Sequence, residues 1–215
     1  MDDFNRNGGV VASIWIVTLS IGIVGCCVVM ALPLAHIVSH KTEIGHSEGR
    51  AAEVLTLALL VAGVTRLTMM GYVSDRLGSL PPLFLFSCFQ TSMPVVPGFV
   101  DNLIGLFLIE FIFGIGYGII LPLYPVVIRD HLFSVGIGRR IAVVIFFGGM
   151  GMALGGWFGG FLFAFSGSYV LAFLLVAVAN TINLMFVGML LLWLWSVRAT
   201  LIETQANKLR KVRNV

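Results

Sequence analysis

Two ionisable residues interrupt long apolar runs of the sequence, and both could do chemistry there. Arg66 lies in the run from Ala51 to Met70, and Glu110 lies in the run from Leu103 to Ile128. If these runs are membrane helices, a charged group inside them costs at least about 2.5–3.5 kcal/mol, so it usually faces a cavity or a partner. We therefore treat both residues as candidate functional groups.

Arg66 could bind the carboxylate of an anionic solute, because a guanidinium group matches a carboxylate in a bidentate fork. It stands five residues before Gly71, where the apolar run ends. At 1.5 Å per residue it would lie about 7 Å inside the membrane. The alternative is that Arg66 reaches back to the headgroups or pairs with Asp75. The sequence leaves both readings open.

Glu110 would lie deeper, roughly 10 Å inside the other end of its helix by the same rise per residue. A carboxyl group in apolar surroundings favours its neutral form, which suits a proton carrier in symport. A neutral glutamic acid that donates a hydrogen bond to a neighbouring backbone is the competing interpretation. Asn180, Asn183 and Gln90 also lie inside apolar runs, and we expect them to form hydrogen bonds between helices.

A charged motif follows the second apolar run. Gly71, Asp75, Arg76 and Gly78 fit the pattern G-x-x-x-D-R-x-G, which we place in a loop. The first glycine would permit close approach of another helix, the opposite charges could lock one conformation, and the last glycine would allow the turn. An ordinary charged loop would explain the same residues.

Glycines recur every four residues in the fifth apolar run, at Gly151, Gly155 and Gly159. This spacing puts them on one helix face and lets a second backbone approach closely. Such a face suits either sliding between two states or static tight packing.

Other kinds of site have no support in the sequence. His36 and His40 are four residues apart, but no third metal ligand is evident, so we expect no metal and no cofactor. The sequence shows nothing that resembles a nucleophile–base set, so we do not expect an enzyme. The sequence contains no basic run with interleaved aromatic residues, so we do not expect nucleic acid as a partner.

Composition indicates that lipid surrounds the chain. Of 215 residues, 59% are hydrophobic and 11% charged, against about 25% charged in a soluble domain. A bilayer core needs about 20 apolar residues in a helix, and continuously apolar runs exclude alternating barrel strands. We therefore predict an all-α membrane protein with six spans: Val10–Pro33, Ala51–Met70, Pro82–Val100, Leu103–Ile128, Ile141–Phe165 and Tyr169–Val197.

The positive charges predict the orientation. Ten Lys or Arg fall on the side that holds both termini and the second and fourth loops, and two fall on the other side. Because positive loops stay inside, we expect both termini in the cytoplasm and the protein in the cell (inner) membrane. The predicted organisation is a cytoplasmic segment at residues 1–9, a transmembrane domain at 10–197 and a basic tail at 198–215.

These features together resemble the major facilitator superfamily, whose members carry the Gly71–Gly78 pattern between the second and third helices of each half. Ser79 and Leu80 depart from the usual basic continuation of the motif. More narrowly, the chain resembles the monocarboxylate and oxalate–formate branch. That resemblance rests on Leu32-Pro33-Leu34, the run Phe113–Gly118 leading to Pro122 and Pro125, the glycine-rich fifth helix, and Ser166-Gly167-Ser168-Tyr169.

The resemblance implies the C-terminal half of a twelve-helix fold, built from two inverted three-helix repeats. It implies alternating-access transport of a small solute, a monocarboxylate or other organic anion, with Arg66 in the substrate-binding role. Arg66 is one residue further from Gly71 than the branch would place it. The missing half would be a second copy or a separately encoded chain. The alternatives are a truncated, inactive fragment and a non-transporting assembly subunit.

Overall fold

The computed structural model describes residues 2–43, 45–92, 100, 102–132, 136–167 and 169–213. All regular structure in these ranges is helical. The six helices run in chain order as α1 Asp2–Glu43, α2 Glu48–Leu77, α3 Leu80–Ser92, α4 Leu103–His131, α5 Ile137–Ser166 and α6 Tyr169–Arg213.

Five of these helices are long and apolar enough to cross a bilayer, which supports an integral, multi-pass membrane protein. Their spanning parts are Val11–Thr42, Glu48–Met69, Leu103–His131, Ile137–Ser166 and Leu171–Val197. The third predicted span, Pro82–Val100, corresponds to α3, whose 13 described residues extend only about 20 Å at the helical rise. The count of six spans therefore stays a prediction.

The helices extend further than hydropathy predicts. α1 begins at Asp2 and continues to Glu43, so the segment placed outside the membrane at residues 1–9 and most of the loop that follows Pro33 are helical. α6 likewise continues through the predicted tail to Arg213. Local hydropathy marks where a helix leaves lipid, whereas backbone hydrogen bonding can continue into polar surroundings.

α1 and α4 are the central helices of the bundle. α1 packs on α5 and α6, α4 packs on α2 and α3, and α3 also packs on α6. The principal core fills the space between these elements with fully buried side chains such as Leu19, Ile23 and Leu123. A smaller apolar cluster joins α1 to α5 and α6 around Leu32 and Phe173.

A buried hydrogen-bond network ties α4 to α3 and α6. The Tyr124 hydroxyl donates to Asn183 Oδ1 at 2.8 Å, and Asn183 Nδ2 donates to Ser87 Oγ at 3.0 Å. Asn180 Nδ2 donates to the Ser87 carbonyl at 3.1 Å. Gln90 Nε2 donates to a carbonyl of α1 at 3.0 Å. The predicted role of these amides in bonding between helices is confirmed.

Candidate functional site

Arg66 lies on the exposed face of α2 and contacts α4 through an aromatic ring. Its guanidinium carbon is 5.8 Å from the centroid of the Tyr117 ring, within the range of a cation–π interaction. Tyr117 in turn stacks on Phe113 of the same helix, with 6.1 Å between ring centroids. The cation therefore lies against the Tyr117 ring while its side chain remains exposed.

No ion pair involves Arg66 within the described part of the chain. Asp75 stands nine residues further along α2, about 13 Å along the helix axis. A contact between the two would therefore require a bend that a continuous helix does not provide. The geometry places a positive charge with unused donors on the outer surface of the bundle.

Glu110 is buried on α4, with 2% of its surface exposed. The charged group that acts on it is Lys41, which lies near the C-terminal end of α1. Lys41 is itself only 1% exposed, and its Nζ donates to the Val100 carbonyl at 3.2 Å. Glu110 and Lys41 are thus both buried ionisable groups of the bundle.

The two predicted residues are not brought together. Tyr117, whose ring contacts Arg66, lies seven residues after Glu110 on α4. This separation is about 10 Å along the helix axis. They share one side of that helix, because seven residues make about two turns. The two ionisable side chains therefore lie at separate positions: the exposed Arg66 of α2 beside Tyr117, and the buried Glu110 within α4.

The charged motif lies at the end of a helix rather than in a loop, which corrects our placement. Residues Gly71 to Leu77 complete α2, and the chain turns at Gly78, whose φ of +75° suits a residue without a Cβ. Asp75 and Arg76 are exposed, and within the described residues they form no ion pair with each other. Arg76 instead lies over the Tyr72 ring, with 5.1 Å from its guanidinium carbon to the centroid.

Gly71 itself approaches no helix of the described chain, since a Cβ added there would meet nothing within 4 Å. The predicted role of this glycine in close packing therefore has no partner within the described residues.

Gly151, Gly155 and Gly159 of α5 lie where this helix meets α1. A Cβ at Gly151 would lie 2.7 Å from the Val24 carbonyl oxygen, and one at Gly155 or Gly159 would also collide with α1. An equivalent contact joins α4 to α2, where a Cβ at Gly114 or Gly118 would lie 2.5 Å from a carbonyl oxygen of α2. Both crossings depend on backbones in direct contact.

Sequence reasoning missed three features of this site. Lys41 falls in a predicted loop, and nothing local indicates its burial. Tyr117 carries no signal of its contact with Arg66, because the two are far apart in the chain. The pair Gly114 and Gly118 does carry a signal, the same spacing of four residues as in α5.

The histidines pack against aromatic residues instead of forming a metal centre. His36 Nε2 lies 2.8 Å from the Gly156 carbonyl oxygen, and the His36 and His40 rings both contact Tyr169. Across the ranges that the structure describes, no three potential ligands among His, Cys, Asp and Glu come together.

A comparison of the sequence with curated proteins gives no match. The family model described as Major Facilitator Superfamily matches residues 14–211, which is nearly the whole chain. An all-helical bundle with a cation on its exposed face and glycine-lined crossings agrees with that match, and the chain belongs to the major facilitator superfamily, a family of secondary transporters.

Proposed function

We propose that the protein transports a small organic anion, of the monocarboxylate type, by alternating access. The observation that carries this proposal is the position of Arg66, an exposed cation inside an apolar span that contacts an aromatic ring and no acidic group of the described chain. A charge is retained in such a place when a solute or a partner compensates it.

The geometry of Arg66 suits a carboxylate ligand. The Tyr117 face restrains the guanidinium group without using its N–H donors, because a cation–π contact engages the ring and not a hydrogen-bond acceptor. The planar fork therefore stays available for a bidentate bond. Resemblance to the monocarboxylate and oxalate–formate branch points to the same class of solute.

We further propose that the bundle consists of two inverted three-helix repeats with six spans. Two such repeats, α1–α3 and α4–α6, would make equivalent contacts. If α1 is exchanged with α4, α2 with α5 and α3 with α6, the α1–α5 contact becomes the α4–α2 contact. The same exchange converts the α1–α6 contact into the α4–α3 contact, and all four contacts are present. In each of the two closest crossings, glycines of one helix meet carbonyl groups of the other.

Alternating access in this family requires a second bundle, so we propose a second six-helix half as the partner, either another copy or a separate chain. The exposed face of α2, with Arg66 on it, would then line the space between the halves. The motif residues Gly71, Asp75, Arg76 and Gly78 would act as the gate at one end of that space, where Asp75 and Arg76 are exposed and able to pair across the interface.

Both termini would lie in the cytoplasm, at the cell (inner) membrane, because the basic residues concentrate on the side that holds them. Glu110 would serve as the proton-coupling group. Its burial supports this role, since a carboxyl group removed from water favours its neutral, proton-carrying form.

Uptake into proteoliposomes tests the substrate assignment. We would reconstitute the wild-type chain and measure uptake of labelled lactate, oxalate and a neutral sugar. Arg66→Ala should lower anion uptake about 10- to 100-fold, the range that corresponds to losing a hydrogen bond to a charged group. Arg66→Lys should recover part of the activity, because it restores the charge without the fork.

Arg50→Ala is the matched control. Arg50 is another arginine of α2, in an exposed ion pair with Glu53 at 3.1 Å, so its removal changes the net charge equally. It should leave anion uptake unchanged. Anion uptake that Arg66→Ala does not reduce would exclude the binding role. Absence of any uptake by the folded wild-type chain alone would exclude a second copy as the missing half and leave a separate chain as partner or a non-transporting subunit.

A further inference from the structure

A cavity of about 370 Å³ lies where the end of α2, the start of α3 and the end of α4 meet α6. The turn between α2 and α3 and the end of α4 supply its polar lining, which consists of Arg76, Ser79, Asp130 and His131. α6 supplies only apolar or aromatic side chains, which are Leu191, Leu194 and Trp195. A molecule that fills the cavity therefore needs a polar end and an apolar body.

The polar part of the cavity is reached from water. The apolar spans of α4 and α6 end at His131 and Val197, and that of α2 ends at Met69. Arg76 is seven residues beyond Met69 and is exposed, and seven residues are about 10 Å of helix. A dissolved molecule can thus enter beside Arg76 without crossing lipid.

Ser79 gives an independent sign of a ligand. Its side chain is 1% exposed, and its Oγ has no hydrogen-bond partner among the described residues. A serine directly before a helix usually accepts from the N–H of the second or third helical residue. In α3 these residues are Pro81 and Pro82, which have no N–H. The hydroxyl is therefore left for a molecule in the cavity, because buried polar groups are normally satisfied.

The charges around the cavity favour a single negative charge on that molecule. Asp130 pairs with Arg129 at 3.3 Å. Arg76 contacts the Tyr72 ring at 5.1 Å and forms no ion pair within the part of the chain that the structure describes. A cation–π contact leaves the N–H donors of the guanidinium group unused, and this group binds carboxylates in a bidentate fork. One positive charge therefore stays uncompensated.

We propose that this cavity binds a monocarboxylate with an apolar body, such as an aryl carboxylate. Arg76 and the Ser79 hydroxyl donate to the carboxylate, and the body packs on Leu194 and Trp195. The site is separate from Arg66, which lies ten residues before Arg76 on the same helix, about 15 Å along the axis. One small ligand cannot contact both arginines.

Binding of labelled benzoate to the purified full chain tests the proposal. The measurement is made in Arg66→Ala, so that the proposed solute site does not contribute. Unlabelled benzoate should displace the label, whereas benzyl alcohol or acetate, which carry only the body or only the charge, should do so at least about tenfold less well. Adding Arg76→Gln should weaken binding about 10- to 100-fold, and adding Ser79→Ala about threefold to tenfold.

Two further variants keep the result interpretable. Arg50→Gln removes another arginine of α2, which pairs with Glu53 at 3.1 Å near the opposite end of the helix, and it should leave benzoate binding unchanged. Leu194→Trp fills the cavity while leaving Arg76 and Ser79 in place, so it should abolish binding even if Arg76→Gln fails to fold.

Four outcomes would overturn the proposal. They are binding by wild type that disappears in folded Arg66→Ala, equal losses in Arg50→Gln and Arg76→Gln, full binding in Leu194→Trp, and displacement of the label by phosphatidylglycerol but not by benzoate. Failure of lactate uptake would not bear on it, since benzoate binding is measured without transport.

Discussion

Replacing Gly151 by alanine tests whether the α1–α5 crossing depends on direct backbone contact. A Cβ at this position would lie 2.7 Å from the Val24 carbonyl oxygen and 3.0 Å from the Cys27 Cβ, whereas ordinary contacts begin at 3.4 Å. Backbone atoms cannot rotate away, so the two helices must separate. Overpacking of this kind costs about 1–3 kcal/mol.

Gly149→Ala is the matched control, because it lies two residues away at the same depth and an added Cβ there meets nothing within 4 Å. It should leave stability unchanged or raise it by up to about 1 kcal/mol, through the lower entropy of the unfolded chain. The comparison thus isolates the contact from any general effect of alanine.

The assay is thermal unfolding of the purified protein in one detergent. At about 2–4 °C per kcal/mol for a chain of this size, Gly151→Ala should melt roughly 2–12 °C lower than wild type. If the two variants melt at the same temperature, the glycines are not in tight contact and the packing argument is wrong.

Three other changes test separate parts of the structure. Tyr124→Phe removes the donor to Asn183 Oδ1 in the buried network and should destabilise the protein by about 1–3 kcal/mol, measured by thermal unfolding; an unchanged melting temperature would contradict the network. Gly78→Ala places a side chain at a φ of +75° and a ψ of −178°, a region adopted essentially only by glycine, and should cost about 1–3 kcal/mol in the same assay; a neutral effect would argue against the turn. Lys41→Met removes the ammonium group that donates to the Val100 carbonyl and should destabilise the protein by about 1–3 kcal/mol in the same assay; an unchanged melting temperature would contradict that contact.

The sequence predicts the features that depend on local pattern. Continuous apolar runs locate the spanning helices, because a backbone in lipid must satisfy its own hydrogen bonds. The four-residue spacing of Gly151, Gly155 and Gly159 predicts one shared helix face, and an added Cβ at each of the three would meet α1. The inverted repeat, the substrate and the orientation remain proposals.

Features that depend on distant residues could not be predicted. Lys41 is charged and follows an apolar run, so the sequence places it in a loop, yet it is buried and donates to the Val100 carbonyl. The Tyr117 ring under Arg66 is likewise supplied by another helix. The chain continues as helix through Gly71 to Leu77 because helical hydrogen bonding does not end where hydropathy falls.

Water accessibility beside Arg66 tests the central claim most directly. In a chain whose exposed Cys88 is replaced by serine, a cysteine would be introduced at Gly63, one turn before Arg66 on the exposed face of α2, or at the exposed Val178 of α6. A membrane-impermeant thiol reagent should label the cysteine at position 63, with protection by lactate, and should leave the cysteine at position 178 unlabelled because lipid covers it. Equal labelling of the two positions, or none at position 63, would contradict a solute path along α2.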